Sequence, residues 1–187
     1  MQIVFGERLY NEKSTRSSTV PYVVTNNKIY YLFGIYKGKG DNKQGAGDIT
    51  DLGGGAKKGE VDIITALREL NEESKEIFKD VIKLSDLVKC VSVIDKKAHT
   101  STSCIFIPVN EEWLQKTSTA FSNSITLTCD SDELSGLIWL SEDELQHLLH
   151  DKNSKMWHKI QYFYINAFSS KLNLREALLA RWWWSSP

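Results

Sequence analysis

Residues 54–73 read GGAKKGEVDIITALRELNEE. A glycine-rich turn runs into a segment in which Ile63, Ala66, Leu67, Leu70 and Ile77 recur at helical spacing, so a helix with one buried stripe is expected. Asp62 is the expected N-cap. On that helix Glu69, Glu72 and Glu73 stand at i, i+3 and i+4 and share a face. Three like charges this close repel one another, and Arg68 offsets part of the repulsion through its i, i+4 relation to Glu72. A divalent cation would offset the rest, and hard carboxylate oxygens suit Mg²⁺ or Mn²⁺. The plainer alternative is a solvated acidic face held by i, i+4 ion pairs. The preceding glycines let backbone approach a ligand closely.

The order of the residues adds to this reading. Gly54 is followed after five residues by Glu60, and after seven more by Arg68-Glu69-Leu70-Asn71-Glu72-Glu73. This resembles the Nudix box, G-x5-E-x7-R-E-U-x-E-E-x-G-U with U aliphatic. The match fails at two places: Lys75 stands where the family has its last glycine, and Glu76 where it has its last aliphatic residue. The replaced glycine predicts a helix that runs on to about Phe78, with Ile77 packing. The resemblance implies an α/β/α sandwich around a mixed sheet, with its core over about residues 20–150. It also implies hydrolysis of a nucleoside diphosphate linked to a second moiety, by water activated by Mg²⁺ or Mn²⁺. By position, Glu69, Glu72 and Glu73 would hold metal, with Glu69 also able to receive the proton of water. Arg68 would orient the carboxylates by ion pairing, Glu60 would sit just behind the metal-holding residues, and the carbonyl of Gly54 or Gly55 would add an oxygen. Family members often use a carboxylate from outside the box. Glu111, Glu112, Asp130, Asp132 and Glu133 are candidates, and Glu133 is preferred.

The rest of the chain fits one domain over residues 1–187. Residues 11–19 are polar and read as a lead-in loop, and strand signals begin at Val20. PYVVT and IYYLFGIY flank Asn26-Asn27 and read as a hairpin. Residues 37–47, with four glycines and three lysines, read either as a flexible connection or as a phosphate-contacting loop. Neither GxGxxG nor GxxxxGK[ST] occurs, which disfavours Rossmann and P-loop sites. Asp48–Leu52, residues 87–95, residues 101–109 and Leu137–Leu140 read as strands, and a short helix is expected within 111–116. Ser141 and Glu144 form a capping box that starts another helix, and a longer one is expected from about Asn153 to Phe168. A last short helix follows Asn173, giving a C-terminal helical segment over about 153–184.

The formal net charge of −1 and 41% hydrophobic content are those of an ordinary globular chain. Cys90, Cys104 and Cys129 lie far apart without CxxC spacing, which disfavours zinc and a disulfide framework and suits a reducing compartment, cytoplasm or nucleus. Neither a signal peptide nor an apolar run long enough to span a membrane is read. Lys57 and Lys58 are either phosphate contacts or exposed turn lysines. His147 and His150 read as helix-edge residues rather than metal ligands. Residues 152–187 carry six basic residues against one acidic, interleaved with Trp157, Tyr162, Phe163, Tyr164, Phe168 and Trp182-Trp183-Trp184. Such a segment either binds single-stranded RNA by stacking or packs on the sheet as a helix pair. Three tryptophans in a row cannot all face one side of a helix, so some are expected to contact a partner, a second subunit of a homodimer or a folded-back surface. The strings GGGAKKGE and RELNEES also look like those of Nudix proteins of large DNA viruses, some of which remove mRNA caps. Three functions are therefore carried forward: a hydrolase of small nucleoside-diphosphate derivatives, a decapping enzyme acting on capped RNA, and a catalytically silent nucleotide- or RNA-binding module of the same fold.

Overall fold

The computed structural model describes residues 1–39, 44–97, 100–124, 133–169 and 171–185. Asp130, Asp132 and Cys129 lie outside the described residues. The frame is an eight-stranded mixed sheet with helices on both faces, an α/β/α sandwich. The strands are β1 (Gln2–Phe5), β2 (Arg16–Thr25), β3 (Lys28–Tyr36), β4 (Ile49–Thr50), β5 (Leu52–Gly55), β6 (Val91–Lys96), β7 (Ser101–Pro108) and β8 (Leu134–Ser141). The helices are α1 (Asp62–Glu73), α2 (Leu84–Leu87), α3 (Trp113–Asn123), α4 (Glu142–His150), α5 (His158–Ala167) and α6 (Leu174–Ser185).

Alternation along the central strands builds two cores. Val20, Tyr22 and Val24 of β2, Ile29, Tyr31 and Phe33 of β3, and Cys104 and Phe106 of β7 face α4, α5 and α6. Val23, Leu32, Ile105 and Ile107 face the opposite way, toward Ile63, Ala66 and Leu70 of α1.

The hairpin β2–β3 closes on Asn26 (φ 50°) and Asn27 (φ 59°), the left-handed pair that a two-residue turn requires. Away from that turn the two strands part. The first half of β2 pairs with β5, from Arg16↔Gly55 to Thr19↔Leu52. The far end of β3 pairs with β4 at Gly34↔Thr50 and Ile35↔Ile49. The chain from 49 to 55 thus wedges between β2 and β3, and Asp51 sits at the apex. On its other side β2 runs parallel to β7.

Several expectations need correction. β2 begins at Arg16, because Ser17, Ser18 and Thr19 are buried in the sheet rather than looped out. The opening residues form β1, paired with β6. Residues 84–87 form α2, so β6 starts only at Val91. The expected strand at 48–52 is two short strands with different partners. The expected short helix at 111–116 is the eleven-residue α3, and β8 is longer than the four residues expected. Asp62 is not the N-cap. Val61 takes that place, and the buried Asp62 carboxylate accepts from Ser14 N (2.5 Å) and Ser14 Oγ (2.6 Å), tying the helix start to the N-terminal segment. The C-terminal aromatics Phe163 and Tyr164, with Met156, Ile160, Leu174 and Leu178, are core residues. Among the described residues no helix is long and apolar enough to cross a membrane.

α1 does not run on to Phe78. It stops at Glu73, with Ser74 as C-cap. Glu76 N donates to Asn71 O (2.8 Å) and Lys75 N to Glu72 O (3.3 Å), the paired bonds of a Schellman ending. Lys75 (φ 54°) and Glu76 (φ 62°) both adopt the left-handed backbone that glycine usually supplies. Ile77 packs against the core, as expected, beside the fully buried Phe78. Lys75 Nζ lies 4.4 Å from the centre of the Phe121 ring, which offsets part of its backbone cost. Glu76 makes an exposed pair with Lys79, which is worth little. A left-handed non-glycine residue costs about 1–2 kcal/mol. Glu76→Gly should therefore leave stability unchanged or slightly raised, and Glu76→Val should melt several degrees below it; thermal denaturation of the two variants measures the gap, and equal melting would contradict the left-handed ending.

Candidate active site

The wedge puts the three glycines of residues 53–55 edge-on to α1. A side chain at Gly54 would displace the Glu69 carboxylate, since a Cβ there would lie 2.4 Å from Glu69 Oε1. This close approach brings the acidic face of the helix onto the backbone of β5. Gly53 N donates to Glu73 Oε2 (2.7 Å). Arg68 stands at the centre of the remaining charges. Its Nε and Nη2 fork onto Glu60 (3.0 Å each), its Nη1 reaches Glu69 (2.6 Å) and Glu72 (3.0 Å), and its Nη2 also reaches Gly55 O (3.0 Å). Glu60 is fixed further by Lys57 N (2.9 Å) and Thr65 Oγ1 (3.0 Å).

These contacts set the acidities. Hydrogen bonds from Arg68 lower Glu60 to about 2. Burial raises Glu69 despite Arg68. Glu73 is pushed well above the usual carboxylate range by burial and by the neighbouring charges of Asp51 and Glu69, with Arg16 and the Gly53 amide opposing only in part. Glu73 is thus a carboxylate whose negative form is poorly compensated by the protein alone.

Glu69, Glu72 and Glu73 line a cleft of about 900 Å³, together with Gly53, Gly54 and Gly55. Glu133 lies on the same cleft, at the start of the segment leading into β8, as the sequence suggested. Glu111 and Glu112 are elsewhere: Glu111 accepts from Thr25 Oγ1 at the hairpin end (2.7 Å), and Glu112 pairs with Lys116. Lys57 pairs with Glu72 at 3.6 Å, and Lys58 is exposed; neither lines the cleft. His147 and His150 belong to α4 and do not line it. The cleft instead recruits Arg16, Tyr36, Lys39, Trp157 and His158, which no local spacing marked. Lys39 comes from the 37–47 stretch, where Lys39 and Gln44 exchange backbone bonds (3.0 and 3.1 Å).

Among the described residues no three carboxylate, histidine or cysteine groups form a ready-made metal cage. The reason is visible in the bonding: Arg68 holds Glu69 and Glu72, and Gly53 N–H holds Glu73. The donor set nevertheless fits a hard divalent cation, because hard oxygens converge on one cleft and the innermost of them lacks compensating charge.

No family model matches the chain, and no curated protein matches it. Solved structures do. A binary complex of C. elegans Ap4A hydrolase is 16% identical, with 89% of this chain and 96% of that one covered and a TM-score of 0.42. A bifunctional NMN adenylyltransferase/ADP ribose pyrophosphatase from Francisella tularensis, complexed with AMP and Mn ion, is 15% identical over 86% of this chain and 44% of that one, with a TM-score of 0.47. A Nudix hydrolase from M. Smegmatis is 11% identical over 83% and 88%, with a TM-score of 0.44.

The uncompensated Glu73 gives a test of the electrostatics. With divalent ions chelated, Glu73→Gln keeps an acceptor for Gly53 N–H and removes the repelled charge, so its melting temperature should rise by a few degrees, on the order of 1 kcal/mol. Because the folded pKa of Glu73 is raised, wild-type stability should fall as pH rises from the ordinary value of 4.5 through the raised one. The variant should lack that slope, and a wild type more stable than the variant at neutral pH would contradict the assignment.

Proposed function

We propose that the chain is a Nudix-type hydrolase that cleaves the diphosphate of a nucleoside-diphosphate derivative with the help of Mg²⁺ or Mn²⁺. The observation that carries this reading is the convergence of Gly54, Glu69, Glu72 and Glu73 on one wall of one cleft, with Arg68 and Glu60 bonded behind them. Their spacing in the sequence becomes a set of contacts there: glycine against Glu69, and Arg68 between Glu60, Glu69 and Glu72. A solvated acidic face would have no reason to press against a glycine strand, nor to set Glu73 on the Gly53 amide.

Glu69, Glu72 and Glu73 would hold the ion, with the carbonyl of Gly54 or Gly55 as a further oxygen. When bound, such an ion neutralises the diphosphate and acidifies water. The protein does the rest. Arg68 keeps the carboxylates from splaying, and Glu60 keeps Arg68 in place through its fork. Glu69, whose acidity is lowered by burial, is suited to take the proton of the attacking water. Glu133 supplies a second acceptor from outside the helix. Lys39 places positive charge at the cleft, where it would stabilise phosphate oxygens. Water adds to one phosphorus, the P–O–P bridge opens, and two phosphate-bearing products leave. The cleft volume is that of a site for a small molecule, and Trp157 and Tyr36 provide aromatic surface for a base.

A panel of nucleoside-diphosphate derivatives and capped RNA, each with Mg²⁺ and with Mn²⁺, tests the reading by product analysis. Turnover of a small nucleotide is expected, with Glu73→Gln and Glu69→Gln losing about 10²-fold or more in kcat. Turnover confined to capped RNA would favour the decapping reading. Nucleotide binding without turnover would favour a silent module, and activity unchanged by both substitutions would place the chemistry elsewhere.

A further inference from the structure

Beneath the cleft floor lies a buried polar chain that the hydrolytic chemistry does not use. Asp51, at the apex of the wedge, is 1% exposed. It accepts from both terminal nitrogens of Arg16, at 3.1 and 2.5 Å. It also accepts from Tyr164 Oη at 2.7 Å. Since that hydroxyl donates to Asp51, the buried Cys104 thiol 3.4 Å away donates to Tyr164. Arg16 does not end at Asp51: its Nη2 also donates to Gly53 O (2.8 Å). Gly53 is therefore held at both ends of its peptide groups, its carbonyl by Arg16 and its amide by Glu73. Burial alone would raise the Asp51 carboxyl, but the charge and hydrogen bonds of Arg16 outweigh it and keep it ionised.

Three distant parts of the chain meet in this relay: β2 through Arg16, the wedge through Asp51 and Gly53, and α5 through Tyr164. The same α5 carries His158 at its first position, next to Trp157, and both line the cleft. We propose that Tyr164, Asp51 and Arg16 are positioning residues, which fix the Gly53 peptide and with it the place of Glu73, so that the ion-holding wall depends on how α5 is seated. The part of this that concerns the ion rests on the hydrolase reading above; the part that concerns Gly53 does not.

Two variants keep the fold while loosening the relay. Tyr164→Phe retains a ring beside Phe33 and Phe163, at 5.5 and 5.2 Å, but loses the hydroxyl. Arg16→Lys keeps the charge, but its single ammonium cannot fork onto Asp51 and also reach Gly53 O. Ile160→Val, a core change on the same helix, serves as the control. Amide exchange of Gly53, followed by NMR in metal-free protein, should quicken about tenfold in both relay variants, while the amides of Val93 and Ile105 keep their rates. Direct titration with Mn²⁺ should show Kd raised by about tenfold in both, as for other groups that support metal ligands, with the control unchanged in exchange and in Kd. Wild-type Gly53 exchange in both relay variants, or an equal change in the control, overturns the proposal. A wild-type protein that binds no Mn²⁺ overturns the hydrolase reading instead, and Gly53 exchange then decides the relay by itself.

Discussion

Asp51, Glu69 and Glu73 bring three carboxylates to the junction of β5 and α1, and two guanidinium groups hold them from opposite sides. Arg68 serves the outer set and Arg16 the inner one. Placing like charges in a partly dry volume costs several kcal/mol unless each is paired and hydrogen-bonded. The two arginines do not share the task evenly. Asp51 is fully served, with two guanidinium bonds and a phenol. Glu73 receives one backbone amide and an indirect field from Arg16. The fold thus spends its compensation on the structural carboxylate and leaves the cleft-lining one short. A cation at the proposed site would relieve that asymmetry.

The C-terminal helices take on a different part than basic, aromatic residues first suggest. Tyr164 stacks with Phe168 and meets Phe33 and Phe163 edge-on, and Tyr22 meets Trp182 at 6.1 Å and donates to Leu178 O. These rings close the second face of the sheet, so α5 and α6 belong to the sandwich itself. Met156 bridges to Ile49 of β4, and Trp157 N donates to Ile49 O (2.8 Å). The segment entering α5 is therefore an edge partner of the wedge that carries Asp51 and the glycines. Cutting this region away would remove a layer of the core, and would not isolate a binding tail.

What the sequence made legible, and what it hid, follows from the range of the interactions. α1, its acidic face and its glycine approach are encoded within twenty residues, so spacing alone exposes them. The capping box at Ser141 and Glu144 and the Asn26-Asn27 turn are equally local. The pairing of Arg16 with Asp51 spans thirty-five positions and has no spacing to betray it. Residues 16–19 misled for a related reason. Ser17, Ser18 and Thr19 are polar, yet their small hydroxyls are satisfied inside the sheet by Ser103 and Leu52 O, so they pack where a loop is expected. α3 is weak by propensity and is set by tertiary bonds, the Trp139 indole donating to Trp113 O and Thr117 Oγ1. At Lys75 the residue type gave the wrong helix length, because the Schellman bonds and the Phe121 ring supply what a glycine would have.

The glycines complete the account of why the carboxylate helix can sit where it does. A Cβ at Gly53 would meet Ser18 Cβ at 2.2 Å, one at Gly54 would meet Glu69 Oε1 at 2.4 Å, and one at Gly55 would find nothing nearer than Thr15 O at 3.9 Å. The first is demanded by the sheet and the second by the site, while the third stands free of both. Gly53 brings β5 against β2, which places its carbonyl under Arg16 and turns its amide toward α1. Gly54 lets Glu69 lie against the backbone, so that Glu73, one turn on, reaches that amide. The two requirements act together: β5 lies against β2 at Gly53 and against α1 at Gly54. The acidic face of α1 is thus tolerated because Arg68 pairs with Glu69 and Glu72 while Glu73 rests on a peptide group, and the bare glycine backbone lies along the cleft beside it.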